Sequence, residues 1–170
     1  MSTMDKIENV KQQYSNDKNL SVRTKLHLKH STNKQGFVTW LFDKYEFSEN
    51  CRILELGCGN GGMRPFLHNA LKHFNPHGDT KAFTQEFSFN LQNGYEILSG
   101  YFSGVKRMDF EDSLSITETQ DLVDWIKSTI SIASYSEKDL DGLFDYFEDI
   151  RKEYGAINIE KECGLFISIK

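Results

Sequence analysis

The segment Arg52–Met63, RILELGCGNGGM, constrains this chain more than any other stretch. Ile53, Leu54 and Leu56 make an apolar strand that runs straight into Gly57, Gly59, Gly61 and Gly62. Such a turn lets a ligand approach bare backbone, because no Cβ stands in the way. A helix after it adds unpaired N–H groups that face the same ligand. Glu55, near the strand's end, places a carboxylate where a cationic or hydrogen-bond-donating ligand can meet it.

The flanking sequence supplies that helix. RPFLHNALKHF carries Phe66, Leu67, Ala70, Leu71 and Phe74 on one stripe, with Pro65 in the first turn, where its missing N–H is not needed. Asn75–Asp79, NPHGD, stops it. Upstream, Ile7, Val10 and Tyr14 fall on one helical face over 4–14. Phe37, Trp40, Leu41 and Tyr45 repeat the pattern after Gly36. Downstream, Phe83, Phe87, Phe89 and Leu91 suggest a short strand within Ala82–Leu91, and Asn93-Gly94 turns into a short helix, YEILSGYF. VKRMDF alternates as a strand. A helix is expected over Thr117–Ala133, with Thr117 and Gln120 as a capping box. Another starts near Ser136, with Leu140, Leu143, Phe144, Phe147 and Ile150 as its stripe, and ends at Gly155. Gly164–Lys170, GLFISIK, closes the chain as a strand. The alternation is that of an α/β domain.

The pattern E-x-G-x-G-x-G after an apolar strand closely resembles the first motif of class I methyltransferases, which use S-adenosyl-L-methionine (SAM). The resemblance is to the small-molecule type. It implies cofactor contact through Gly57, Cys58, Gly59, Asn60 and Gly61, with Glu55 supporting the loop or the methionine end. The stretch before the motif resembles the helical cap of those enzymes, in which a Tyr and an Arg close over the cofactor. Tyr14 and Arg23 are the matching residues. The stretch from Phe83 to Lys170 resembles the last part of such a chain, with lid helices and two final strands, Val105–Phe110 and Leu165–Ile169. The resemblance divides 1–170 into a cap (1–47), the motif I strand, loop and helix (51–75), and C-terminal strands and lid helices (82–170).

The central part of the family's domain has no counterpart. An acidic residue that binds the ribose is expected about 20 positions after the glycine loop, at a strand end. Only Asp79 stands at that distance, and no apolar strand precedes it. The second to fifth strands are not recognisable. The expected fold is therefore an incomplete Rossmann-like methyltransferase fold, with a reduced sheet of about four strands and flanking cap helices. Strand Ile53–Leu56 would then have open edges, which predicts a rewired sheet or an intertwined homodimer. The implied reaction is methyl transfer from SAM to a small-molecule acceptor, resting on alignment more than on a dedicated acid or base. The catalytic residues are unknown. The alternative is a non-catalytic methyltransferase remnant that serves as an oligomeric or partner-binding protein.

The remaining residues add bounds. A net charge of −5 argues against a nucleic-acid surface. No window is apolar enough for a membrane span, and the polar N-terminus has no secretory h-region. Cys51, Cys58 and Cys163 lack CxxC spacing and suit a reduced, cytoplasmic setting. His68, His73 and His77 cluster, but Pro76 interrupts the helix that would align the last two, so no metal site is expected. His27 and His30 are candidate bases, with a surface position the simpler expectation. The carboxylates of Glu137–Asp149 read as the wet face of a helix.

Overall fold

The computed structural model describes residues 18–44, 63–84, 88–129 and 137–169. The helix expected over 4–14, the strand Arg52–Leu56 and the whole glycine segment lie outside the described residues. Among the described residues the chain is mixed α/β. Its helices are α1 (Lys18–His30), α2 (Phe37–Phe42), α3 (Arg64–Phe74), α4 (Lys81–Thr84), α5 (Gly94–Ser99), α6 (Thr119–Thr129) and α7 (Leu143–Tyr154). The strands are β1 (Gly104–Asp109), β2 (Asp112–Ile116), β3 (Ile157–Lys161) and β4 (Gly164–Ile169).

The strands form two small antiparallel sheets. β1 pairs with β4 from Gly104↔Ile169 to Asp109↔Gly164. β2 pairs with β3 from Asp112↔Lys161 to Ile116↔Ile157. One register carries through both, so they are two halves of a ribbon interrupted at Phe110–Glu111 and Glu162–Cys163. The two strands expected last in the chain thus pair directly with each other.

Two apolar clusters hold these elements. The larger joins Leu26 of α1, Leu67 and Leu71 of α3, Leu114 and Ile116 of β2, Leu122 and Ile126 of α6, and Phe147 of α7. Full burial of each such side chain contributes about 1.5–3 kcal/mol. The smaller is aromatic: Trp40 of α2, Phe110 and Leu165, flanked by Phe37, Leu41, Met108 and Ile167. Trp40 and Phe110 lie 5.2 Å apart between ring centroids, and Phe37 meets Phe110 edge-on at 5.6 Å.

The periodicity reading holds for α3, α6, α7 and both members of the β1–β4 ladder. Gly155, at φ 81°, ends α7 in the left-handed region that favours glycine. Two expectations are corrected. The stretch Ala82–Leu91 is not a strand where it is described: it holds the single-turn helix α4 and then bends and a turn. Alternating Phe residues mark a strand only when neighbouring backbone is present to pair, and Phe89 instead packs on the Phe166 ring. Gln120 donates to Asp124 on its own helix rather than reaching back to Thr117. β2 and β3 were not expected at all. Among the described residues, no helix is long and apolar enough to cross a membrane.

Candidate functional site

Helix α1 carries most of the chemistry that the described residues bring together. Val22, Leu26 and His30 recur every four residues and so share one face. Leu26 is fully buried, and His30 follows it inward at 4% exposure. That face lies along α6, where Asp121 is buried among apolar neighbours. The Asp121 carboxylate accepts from Lys25 Nζ at 2.8 Å, Lys29 Nζ at 2.8 Å and His30 Nε2 at 2.9 Å. Burial pushes the Asp121 carboxyl up, but these three hydrogen bonds outweigh it and hold the group well below the usual carboxylate range. Both lysine side chains remain partly in water, Lys25 more than Lys29.

A second buried carboxylate sits one ladder away. Asp112, at the start of β2, faces Lys161 at the end of β3 in an ion pair; the two side chains are 1% and 13% exposed. Ser31 Oγ donates to Asp112 at 2.5 Å and the Asn33 backbone N–H at 3.0 Å. Burial raises the Asp112 carboxyl, and Lys161, Ser31 and Asn33 together lower it by more. The turn after α1 is thereby stitched to β2, an attachment completed by the Thr32 N–H to the Ser113 carbonyl at 2.9 Å.

His27 lies beside this pair. Burial, aided by the Lys161 ammonium and opposed by Asp112, pushes its imidazole down to about 4. The ring is therefore neutral near pH 7. Its Nε2 is buried and has no hydrogen-bond partner among the described residues. Both histidines expected at the surface are thus drawn into the protein. The reason is register: His30 continues the Val22–Leu26 face and His27 flanks it, so the packing that buries Leu26 buries them as well. The arrangement is a neutral imidazole next to a closed ion pair.

Of the residues that the methyltransferase resemblance assigns to cofactor contact, only Arg23 is described. Its guanidinium donates to the Ser128 carbonyl at 2.7 Å and to Ser128 Oγ at 3.3 Å. That places a cation on the last turn of α6, where the helix dipole favours one. Tyr14, Glu55, Gly57, Cys58, Gly59, Asn60 and Gly61 lie outside the described residues. The helix expected after the glycines is present: α3 starts at Arg64, has Pro65 in its first turn, and has no side-chain cap hydrogen bond at Met63. Asp79, the one acidic residue at ribose-binding distance, is exposed and accepts the Lys81 N–H in a local turn at 2.9 Å.

His73 stacks on Tyr146 at 4.4 Å, and His77 is exposed. Among the described residues, no three His, Cys, Asp or Glu side chains are placed to hold a metal ion. The polar joint of Asp121, Asp112, Lys161 and His27 was missed from sequence. Its one trace was Asp121 directly before the apolar pair Leu122 and Val123, and the exposed Asp124 directly after that pair looks the same in sequence. No family model, curated protein or solved structure matches the chain.

Proposed function

We propose that this chain is a SAM-binding protein of the class I methyltransferase type, with a small molecule as methyl acceptor. The observation that carries the reading is Glu55-Leu-Gly-Cys-Gly-Asn-Gly61 after an apolar stretch, with the helix α3 starting three residues later at Arg64. The unpaired N–H groups of a helix start suit a ligand carboxylate or hydroxyl. On this reading Gly57, Cys58, Gly59, Asn60 and Gly61 offer backbone to the methionine end, and Glu55 supports the loop. The fold would be an incomplete Rossmann-like domain, with α1 and α2 as cap and α6 and α7 as lid. SAM supplies an electrophilic methyl group on sulfur. The protein's own part is to align the acceptor and exclude water.

The ribose end fits poorly, because Asp79 is spent in its own turn. That observation favours a second reading: a remnant of the family that binds a ligand or partner without transferring a methyl group. Thermal denaturation separates the readings from a protein with no cofactor site. Millimolar SAM or S-adenosylhomocysteine is expected to raise the melting temperature of the wild-type chain and not of Gly59→Val, whose Cβ blocks the backbone approach. An equal response of the two proteins would place the ligand elsewhere. Methyl transfer to an acceptor would then divide the enzyme from the remnant.

A further inference from the structure

β4, GLFISI, has the sequence and surroundings of a central strand. Leu165 and Ile167 face the aromatic cluster under α2. Phe166 faces the other way, against Phe89 and so close to α5 that a Cβ on Gly94 would meet its ring at 2.5 Å. A strand covered on both faces reads as a continuous apolar run, as Leu165–Ile167 does. Yet among the described residues β4 pairs on one side only, with β1.

The ladder shows which backbone groups are left over. The Phe110 N–H donates to the Cys163 carbonyl at 2.8 Å, so that pair and every second pair along the register is the hydrogen-bonded kind. Leu165, Ile167 and Ile169 therefore point their N–H and C=O groups at β1. Phe166 and Ser168 point theirs at the open edge.

The other three edges are managed. The outer edge of β2 is covered by the Ser31 bridge to Leu114 and by Thr32. β3 carries the exposed Glu160. β1 carries Lys106, Arg107 and Asp109, and a symmetric pairing of its outward residues would set Arg107 on its own copy. β4 has no charge or proline, and among the described residues no strand covers its edge, so it is a template for another strand.

We infer that the open edge of β4 pairs antiparallel with β4 of a second copy of this chain. Matching outward groups to outward groups fixes the register. Phe166 lies opposite its own copy, Leu165 opposite Ile167, and Gly164 opposite Ser168. No like charges meet, and the two Phe166 rings form a cross-strand pair. The contact is isologous and closes at two chains, because each copy has one such edge among its described strands.

Ser168→Pro tests this directly. It removes an N–H that faces the open edge and leaves the β1 ladder its own bonds. Light scattering after size exclusion is expected to give the mass of two chains for the wild type. Ser168→Pro is expected to give one chain with an unchanged far-ultraviolet spectrum. Ser168→Lys, which keeps the N–H but adds a charge, is expected to do the same, and it stands in if the proline variant does not fold. A wild type that stays monomeric at high micromolar concentration would overturn the inference. So would a folded Ser168→Lys dimer. Amide exchange at Phe166 and Ser168 is expected to speed up on dilution; protection that ignores dilution would assign the edge to another segment of the same chain.

Discussion

The two ends of the β ribbon are held by opposite means. At the β2–β3 end, α1 is attached through charge: Asp121 to Lys25, Lys29 and His30, and Asp112 to Lys161, Ser31 and Asn33. At the β1–β4 end, α2 is attached through Trp40, Phe37 and Phe110. Aromatic contact gives area without fixing a register. A buried carboxylate accepting three donors allows one alignment of two helices, because any slip leaves a charge unpaired. The charged joint therefore positions α1, the helix that bears Arg23, more narrowly than the aromatic joint positions α2.

The largest expected effect is at the aromatic end. Trp40→Ala should cost about 4 kcal/mol in chemical denaturation, nearly independent of salt. Asp121→Ala should cost about 3 kcal/mol, because it strands the buried His30 beside two lysines. Its loss should also shrink the salt dependence of wild-type stability, since the lysine heads are screened by ions. Equal salt responses for the Trp40 and Asp121 variants would erase the contrast between the two ends.

His27 gives the charged end a pH signature. Its folded-state value, about 4, lies below the ordinary 6.5, so the unfolded chain binds the extra proton between those values. Stability from the neutral ring is complete above about pH 6.5 and falls as the pH drops toward 4. The loss should be about 2 kcal/mol, part of the full shift because the ring is partly exposed. His27→Gln should flatten that part of the melting profile, and an unchanged slope would remove His27 from the joint. The smallest effect belongs to Lys25→Met. Lys25 is 64% exposed, so its contact with Asp121 should be worth less than about 1 kcal/mol.

What was legible in the sequence follows the same division. α3, α6 and α7 were visible because each buries one apolar stripe at helical spacing, and Gly155 marked the end of α7. β1 and β4 were visible by alternation and apolar content. β2 and β3, DSLSI and INIEK, were not, because each has only two apolar residues and gains its identity from a partner distant in the chain. The charged joint was hidden for a related reason. Asp121, Asp112 and the two histidines have the types and spacings of an ordinary wet face, and only long-range packing makes them interior. The proposed site is the reverse case. Its motif is explicit in Glu55–Gly61, and the described structure supplies the helix behind it.

Isothermal titration of S-adenosylhomocysteine into the purified chain tests whether Gly57–Gly61 holds the cofactor. A saturable heat with micromolar affinity is expected in the wild type and none in Gly59→Val. No heat from the folded wild type at millimolar ligand would contradict it.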